Sequence, residues 1–440
     1  MINNMSKFHF VGIKGSGMSA LAQILHGMGC EVKGSDIEKT FFTQIPLEKK
    51  GIKITSFDEK NIKEDETVVM SRAFDEKNVE VAKAMELNNG QYYFDFLGKF
   101  ISGFNTSVAI SGSHGKTSTT GLMSHVMKEL KPTSFLIGDG TGHGVPDSEY
   151  FVFEACEYKN HFLSYFPDYA IVTNIDFDHP DFFKSKEDVV NSFQMFAKNV
   201  KKAVIAYGGQ EETKSLNTNA KLWTYGLTSN NDIYAENIEV SPSGTTFDVI
   251  CEGNKIATLT IPSVGEHHVL NALAVASVVV LEGEDLKSIA SYFNTFGGVK
   301  RRFNETHLDS NVIIDDYAHH PTEIKATLQS IRLKYPNKKA VVLFQPHTYT
   351  RTKALFNEFV DSLEGFDEVY LADIFGSARE KTDGIGVSSK DIVDALKNKN
   401  SHTLGEHLPN EYYSFEDSVL AFLGAGDVNK YKDEYLEKKA

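Results

Sequence analysis

The stretch AISGSHGKTSTT, residues 109–120, decides the fold of the central part of this chain. The apolar run TSVAI (106–110) leads into it and GLMSHVMKEL follows with helical spacing, which predicts a strand, a glycine turn and a helix. The usual phosphate-loop pattern, G-x-x-x-x-G-K-[ST], would need a glycine where the chain has Ile110. The glycine comes instead at Gly112, which leaves three interpretations: a damaged loop, a chance Gly-Lys-Thr, or a shorter phosphate loop.

The residue types of this loop suit an anionic nucleotide. Gly112 and Gly115 let backbone N–H groups approach phosphate oxygens, and the start of the following helix adds partial positive charge. Lys116 can neutralise the β- and γ-phosphates, and the Thr117 hydroxyl can bind Mg²⁺. A glycine turn with a Ser/Thr cap is the competing structural interpretation, but the flanking strand and helix favour a phosphate loop.

A second glycine-rich turn, VGIKGSGMSA, spans residues 11–20. Its glycines follow G-x-x-G-x-G instead of the dinucleotide pattern G-x-G-x-x-G. Asp36 lies about 20 residues further on, where a dehydrogenase would have its ribose-binding acid. An NAD site, a site for a mononucleotide or UDP-type ligand, and a purely structural turn all remain open for this segment.

The overall composition excludes several classes of protein. The chain has 440 residues, of which 41% are hydrophobic and 24% charged, as in globular proteins of about two to four domains. A formal net charge of -15 argues against broad nucleic-acid binding, which needs a basic surface. Because no secretory leader and no run of about 18 apolar residues occurs, we expect a cytoplasmic protein without a membrane partner. Cys30, Cys156 and Cys251 lack metal-ligand spacing and are expected to be buried thiols.

The order of strands and helices predicts an α/β protein of three domains, with boundaries at residues 1–105, 106–302 and 303–440. Short strands ending in glycine turns and helices fill the first domain. The glycine loop at residue 112 opens the second, which also contains an antiparallel β segment near residues 230–262. After a break near FGGVKRRFNE, strand and helix alternate again in the third domain.

Two groups of polar residues follow predicted strands. The first is acidic and could hold a divalent cation beside the nucleotide, although a solvated acidic loop is the competing interpretation: Glu154, Glu157, Asp176, Asp178, His179 and Asp181. The second is largely basic and could hold phosphate or carboxylate, although single histidines here are more often packing or capping residues: Arg301, Arg302, Asp316, Tyr317, His319, His320, His347 and Arg351.

Seven ordered motifs make the chain resemble the Mur ligase family. They are GxxGxGM at 12–18, SGSHGKTSTT, TNIDFDHPD, GEHHVLNALA, GVKRRF, DDYAHHPTE and FQPHTYTRT. The resemblance implies an N-terminal Rossmann-like domain for UDP, a central P-loop ATPase-like domain with a mixed sheet, and a C-terminal Rossmann-like domain for ATP and the amino acid. It also implies that the shorter loop, G-x-x-G-K-T, is this family's own phosphate loop.

The activity implied by the resemblance is ligation of L-alanine to the lactyl carboxylate of UDP-N-acetylmuramate in peptidoglycan synthesis. The carboxylate would attack the γ-phosphate of ATP, and the amine of L-alanine would displace the resulting acyl phosphate. Mg²⁺ is the expected metal, with Mn²⁺ as an alternative, and the protein is expected to be a monomer or homodimer. A relative that adds a whole tripeptide to the same nucleotide is the nearest alternative, but it is expected to lack FQPHTYTRT. An NAD-dependent oxidoreductase would leave the loop at Gly112 without a purpose.

The resemblance also implies roles for individual residues. The ATP-binding residues would be Gly112, Ser113, His114, Gly115, Lys116, Thr117, Ser118, Asn271 at the adenine, Arg302 at the phosphates and Asp316 at the ribose. Thr117, Glu157 and His179 would hold metal, and the catalytic set would be Lys116, His179, Arg302, His347 and Arg351. Substrate would be bound by Gly15, Ser16, Met18, Ser35, Asp36, His179, His320, His347 and Arg351. The chain departs from many relatives at His268 (Asn), Thr348 (Arg) and EACEY (Glu-Ala-Asp-Glu-Ser).

Overall fold

A computed structural model describes residues 6–376, 386–398 and 400–439. Within these ranges the strands form three separate sheets, one after another along the chain, with helices packed against them. The α/β class with three sheets, of which the middle one is mixed, is confirmed. In the same ranges no helix has both the length and the apolar character needed to cross a bilayer.

The first sheet is parallel, with strand order β3-β2-β1-β4-β5. Its elements are β1 (Lys7–Val11), α1 (Ser16–Gly27), β2 (Glu31–Ser35), α2 (Gln44–Lys49), β3 (Lys53–Thr55), β4 (Thr67–Met70), α3 (Val79–Glu86), β5 (Gly90–Tyr92) and α4 (Tyr93–Ile101). Because the strands are parallel, the turn after β1 and the residues after β2 and β4 meet at one carboxyl edge.

The central sheet has the order β15-β14-β13-β12-β11-β10-β6-β9-β7-β8. Its elements are β6 (Thr106–Ser111), α5 (Lys116–Leu130), β7 (Thr133–Leu136), β8 (Gly142–His143), β9 (Tyr150–Glu154), β10 (Tyr169–Val172), α6 (Lys186–Ala197), β11 (Ala203–Tyr207), α7 (Glu211–Lys214), β12 (Lys221–Gly226), β13 (Ile233–Ser241), β14 (Gly244–Cys251), β15 (Asn254–Ile261), α8 (Glu266–Leu281) and α9 (Leu286–Asn294). The strands β13, β14 and β15 pair antiparallel, as expected for that segment, whereas the strands around β6 are parallel.

The third sheet has the order β16-β17-β21-β18-β19-β20 and is parallel apart from β16. Its elements are β16 (Asn304–Leu308), β17 (Asn311–Asp316), α10 (Pro321–Lys334), β18 (Lys339–Phe344), α11 (Tyr349–Ala354), α12 (Phe356–Leu363), β19 (Glu368–Leu371), α13 (Ser389–Ala395), β20 (Ser401–Thr403), β21 (Ser418–Leu423) and α14 (Asn429–Lys439). Short 3₁₀ turns cover Glu59–Asn61, Tyr158–Ser164 and Asn410–Ser414.

Burial explains why these segments take their positions. All six residues of β6, TSVAIS, are buried, because helices cover both faces of a parallel sheet. Aromatic contacts join the first unit to the central sheet, since the rings of Phe100 and Phe104 lie 5.3 and 4.8 Å from that of Phe151. One expectation is wrong: Cys30 and Cys251 are buried, but Cys156 is partly exposed because it follows β9, where the sheet opens into the loops of the site.

Candidate active site

The turn between β6 and α5 has a backbone that only glycine fits well. Gly112 has a φ of +133°, and a Cβ atom there would lie 2.0 Å from Thr173 Oγ1. Gly115 has a φ of 80° and caps α5, which begins at Lys116. The first turn of α5 has no acidic residue and no side-chain cap. Its free N–H groups can therefore donate hydrogen bonds to an anion.

Lys116 faces a carboxylate across this loop. Its Nζ atom lies 2.9 Å from Glu157 Oε2 and donates to the carbonyl oxygens of Ser113, at 3.0 Å, and Gly112. Burial would lower the pKa of Lys116 and raise that of Glu157, but their mutual attraction outweighs burial and shifts both pKa values the other way. The pair is therefore fully charged and stands where a phosphate-binding loop needs its cation.

Oxygen atoms gather beside this ion pair. The Thr117 hydroxyl donates to Glu154 Oε2 at 2.8 Å, and His179 Nε2 lies 3.4 Å from Glu157 Oε1. A hydroxyl and two carboxylates are the oxygen ligands that Mg²⁺ prefers, so the donor set fits a hard divalent cation. The His179 imidazole suits such an ion less well, because nitrogen ligands favour softer metals. Glu154, which was not among the metal ligands that the resemblance implies, accepts directly from Thr117.

A cavity of about 480 Å³ opens between the central sheet and the third sheet. Six of the residues predicted to bind ATP line it: His114, Gly115, Ser118, Asn271, Arg302 and Asp316. Other lining residues were not predicted: Tyr207, Gln210, Tyr225, His267, Thr322, Glu323 and Thr327. The cavity therefore gathers residues that are more than 200 positions apart in the sequence into one site large enough for a nucleotide.

Both neutral and charged side chains line the cavity. Burial lowers the pKa of His267 to about 4 and that of His268 well below its usual range, so both rings are neutral. Burial also raises the pKa of Asp316 to about 6, against the attraction of Arg302, and Thr327 Oγ1 donates to this carboxyl at 2.8 Å. The lining thus combines uncharged rings with a charged guanidinium, which suits a ligand that carries both a base and phosphates.

A buried ion pair joins the central unit to the third. Arg351 Nη2 lies 2.8 Å from Asp178 Oδ1, and Arg351 Nε donates to the same oxygen at 2.9 Å. Both side chains are at most 6% exposed. The His347 carbonyl accepts from Arg351 at 3.2 Å, and the His347 ring stacks on Phe375 at 5.6 Å. Arg351 and His347 thus lie together at this interface, with the guanidinium held by Asp178.

His114 makes a second link between the same two units. Its Nε2 lies 3.3 Å from Asp176 Oδ2 and its Nδ1 lies 3.7 Å from Glu323 Oε1. Burial would lower the pKa of His114, but these carboxylates raise it to about 9. The His320 ring lies 4.3 Å away and caps α10 by accepting from the Thr322 N–H.

His114, Asp176 and His320 are close enough together to resemble a metal site. A protonated His114, however, has no lone pair for a metal. His320 Nδ1 accepts the backbone N–H of Thr322, so that nitrogen is already engaged. His114 therefore suits the role of a charged ring between Asp176 and Glu323 better than that of a metal ligand.

The predicted substrate residues of the first unit meet at the carboxyl edge of its sheet. Gly12 donates its N–H to the Ser35 carbonyl at 2.9 Å. Both carboxylate oxygens of Asp36 accept from backbone, from Lys14 N at 2.7 Å and from Ile37 N at 2.8 Å. Asp36 thus shapes the glycine turn, and Gly15, Ser16 and Met18 form the start of α1 beside it.

A buried network that the sequence did not point to lies beneath this turn. Glu80 of α3 is fully buried and accepts from the hydroxyl of Ser35, from Asn61 Nδ2 at 2.7 Å and from the backbone N–H of Asp58 at 3.1 Å. His9 Nε2 lies 3.1 Å from the same carboxylate. A polar residue inside the otherwise apolar strand FHFV was the one available signal for this network.

Comparison with models of known protein families shows the family to which the chain belongs. The model of the Mur ligase family catalytic domain matches residues 7–105, that of the Mur ligase middle domain residues 110–279, and that of the Mur ligase glutamate ligase domain residues 301–424. The chain belongs to the Mur ligase family. As a Mur ligase it is an ATP-dependent enzyme that forms an amide bond in peptidoglycan synthesis.

Solved structures agree over the whole length. The UDP-N-acetylmuramate-alanine ligase MurC from Thermotoga maritima is 28% identical, with a TM-score of 0.81 and 98% of each chain covered. A murein peptide ligase from Psychrobacter arcticus is 21% identical, with a TM-score of 0.67 and coverage of 99% of this chain and 98% of the other. A MurF ligase from Thermotoga maritima, solved with ADP, is 16% identical, with a TM-score of 0.66 and coverage of 87% and 98%. The last two show the shared fold.

Proposed function

We propose that this Mur ligase joins L-alanine to the lactyl carboxylate of UDP-N-acetylmuramate, with ATP converted to ADP and phosphate. The observation that carries the proposal is the 28% identity, over 98% of both chains, to a UDP-N-acetylmuramate-alanine ligase. We further propose that residues 1–105 bind the sugar nucleotide, residues 106–302 bind ATP, and residues 303–440 complete the ATP site and bind the amino acid.

ATP is proposed to bind with its phosphates on the loop 112–118 and its adenosine in the cavity of about 480 Å³. Asn271 would contact the adenine, Asp316 the ribose and Arg302 the phosphates. The neutral histidine rings and the guanidinium that share this lining support a ligand with both a base and phosphates. Lys116 would exchange its contact with Glu157 for the β- and γ-phosphates.

The proposed reaction brings two anions together. The carboxylate oxygen of the sugar nucleotide attacks the γ-phosphorus, the bond to the β-phosphate oxygen breaks, and ADP leaves. Like unit charges about 4 Å apart repel by roughly 4 kcal/mol at an effective dielectric of about 20, which corresponds to about three decades in rate. Lys116 and Arg302 offset this repulsion while they hold the phosphate in line with the attacking oxygen.

The second step forms the amide. The amine of L-alanine attacks the acyl carbon, and phosphate leaves with the oxygen that it took from the carboxylate. We propose that His347, His320 and Arg351 bind the amino-acid and muramyl end, because they lie where the third unit meets the phosphate loop. Arg351 would do so while paired with Asp178, which fixes the angle of the guanidinium.

Thr117, Glu154, Glu157 and His179 are proposed to hold magnesium, since their hydroxyl and carboxylate oxygens converge beside Lys116. Bound Mg²⁺ would supply positive charge to the phosphate oxygens. The oxygen ligands of this set suit magnesium best, and His179 would join them from its position 3.4 Å from Glu157 Oε1.

The proposal is tested by the mass of the product. Enzyme, ATP, Mg²⁺ and UDP-N-acetylmuramate are incubated separately with L-alanine, glycine, L-serine or the tripeptide that a murein peptide ligase would use. We expect the alanine adduct in excess, with phosphate release that needs both the sugar nucleotide and the amino acid. A tripeptide adduct as the main product would assign the chain to the other activity, and rapid ATP hydrolysis without either substrate would contradict both.

A further inference from the structure

Arg72 lies at the rim of the first glycine turn, in a position that the sequence did not single out. It follows β4 by two residues, and β4 pairs with β1 in parallel with Met70 opposite Val11. Its neighbour Ser71 donates its N–H to the Val11 carbonyl at 3.0 Å, and the Cβ atom of Ser71 lies 3.0 Å from where a Cβ would be at Gly12. The residue before Arg72 therefore touches the turn directly.

The lysine within the glycine turn is committed to the fold of the chain. Lys14 is the one lysine between Gly12 and Gly17. Its Nζ atom donates to the carbonyl oxygens of Ile37, at 2.8 Å, and Lys39, at 3.0 Å. Lys14 is only 7% exposed, so its charge is committed to the fold of the chain itself. A diphosphate at this turn would need its neutralising charge from somewhere else.

The Arg72 guanidinium stacks on one aromatic ring and makes one long, solvent-exposed ion pair. Its guanidinium lies 3.9 Å from the centroid of the Tyr92 ring, and Nη2 lies 3.5 Å from Asp95 Oδ2. Both members of that ion pair are more than half exposed, so the pair contributes little and can be exchanged. Stacking on an aromatic ring fixes the plane of the guanidinium without using its N–H donors.

The stacking partner connects Arg72 to the other side of the turn. Tyr92 is the residue before α4, and the hydroxyl of the next residue, Tyr93, lies 2.6 Å from where a Cβ would be at Gly17. The start of α4 therefore packs on the first turn of α1. Arg72 thus lies between two segments that contact the glycine turn. Ser71, before it in the chain, contacts one end of the turn, and Tyr92, on which it stacks, precedes the residue that contacts the other end.

We propose that Arg72 binds the diphosphate of the sugar nucleotide. This inference rests on the proposed function, because it takes residues 1–105 as the domain that binds that substrate. The guanidinium offers two parallel N–H donors to phosphate oxygens, a geometry that arginine provides and lysine does not. Because Lys14 is committed to backbone carbonyls, Arg72 supplies a positive charge that can turn to the diphosphate, and Asp95 gives up its long contact on binding.

The test is calorimetric titration of the full chain with UDP and, separately, with uridine. The variants are Arg72→Gln, Arg72→Lys and a matched control, Arg332→Gln, whose arginine is also partly exposed and pairs with Asp367 at 2.9 Å in the third unit. We expect R72Q to weaken UDP binding by about 10- to 100-fold, as for a lost charge-assisted hydrogen bond, and R72K to fall in between. Uridine affinity should not change, and R332Q should bind UDP like the wild type.

Steady-state kinetics supply the second measurement. R72Q should raise KM for the sugar nucleotide and leave kcat and KM for ATP within about twofold, a split that a general loss of structure would not produce. UDP affinity of R72Q within twofold of wild type would overturn the inference while leaving the proposed function intact. Failure of the wild-type chain to bind UDP would overturn the assignment of the first domain itself.

Discussion

The two glycine turns of this chain follow the same order of strand, turn and helix, yet each uses its lysine differently. In the turn of the first unit, Lys14 donates to two backbone carbonyls and is buried. In the turn of the central unit, Lys116 also donates to backbone carbonyls but in addition faces the carboxylate of Glu157. A magnesium ion can take over such a carboxylate and free the lysine, whereas a carbonyl within the fold cannot be exchanged.

The same order of strand, glycine turn and helix can therefore serve either ligand binding or phosphoryl transfer, depending on the partners of its lysine. We propose that the first turn only holds a diphosphate, for which it needs a fixed shape and a charge at its rim; Asp36 fixes the shape by accepting two backbone N–H groups. A turn that takes part in phosphoryl transfer needs charge that can move to the reacting phosphate. The central turn also receives a side chain from the third unit, since Glu323 Oε1 lies 3.7 Å from His114 Nδ1, whereas the contacts of the first turn described above come from its own unit.

The largest effect should come from Lys116→Ala, which removes the exchangeable cation. We expect ligation to fall by at least about 1,000-fold, because roughly 4 kcal/mol of charge repulsion is left without its counterpart. UDP affinity should stay within twofold of wild type. Rate is measured as product formation, with Lys128→Ala on the exposed end of the same helix as the control. Turnover of K116A near the wild-type rate would show that the two turns do not differ in this way.

A smaller effect should separate the two glycines that open the turns. In Gly112→Ala the new methyl group would meet Thr173 Oγ1 at 2.0 Å and the backbone nitrogen of Thr173 at 3.0 Å. In Gly12→Ala the new methyl group would meet the far end of the Phe74 side chain at 2.7 Å and Ser71 Cβ at 3.0 Å, so its closest overlap is less severe than in Gly112→Ala. Both alanines are strained by positive φ at a cost of about 1–3 kcal/mol.

We therefore expect G112A to lose at least about 100-fold in ATP-dependent turnover, and G12A to raise KM for the sugar nucleotide by about tenfold or less. Thermal unfolding of both variants shows whether the loss is local to each turn. Equal losses of activity in G112A and G12A would contradict the inference that Gly112 is packed more tightly than Gly12.

The smallest effect should be a pH dependence of the thermal stability that His114 of the central turn contributes. The pKa of His114 is raised from 6.5 to about 9 by Asp176 and Glu323, which outweigh burial and the neighbouring His320. Because the folded pKa is raised, the stabilisation from the charged ring is complete below about pH 6.5 and is lost as pH rises through about 9. The difference in Tm between wild type and His114→Gln should therefore shrink between pH 7 and 10. A difference that stays constant over this range would mean that His114 is neutral in the fold.

Local patterns in the sequence predicted the elements well, because the spacing of apolar residues reports directly on strands and helices. Both glycine turns, β6, α5 and the antiparallel segment lie where expected. Partners across the fold could not be predicted, since pairing between distant segments leaves no local trace. Arg351 and Asp178 are 173 positions apart.

The residues of the candidate site that belong to sequence motifs could be predicted, and the others could not. Asn271, Arg302 and Asp316 come together around one cavity with the phosphate loop. Tyr207 and Gln210 line the same cavity but belong to no motif, because the end of β11 supplies them only through the fold of the sheet. Asp36 was expected to meet ligand, yet both its oxygens accept from backbone, and only the tertiary structure reveals that arrangement.

The central claim is that ATP on the central turn phosphorylates a carboxylate that belongs to the ligand of the first turn. The most direct measurement uses UDP-N-acetylmuramate with ¹⁸O in its lactyl carboxylate, and follows the label by mass spectrometry after ligation to L-alanine. The account predicts that each phosphate released carries one oxygen from the carboxylate, because the acyl phosphate loses phosphate together with that oxygen. Phosphate without label, formed alongside ligated product, would contradict the account.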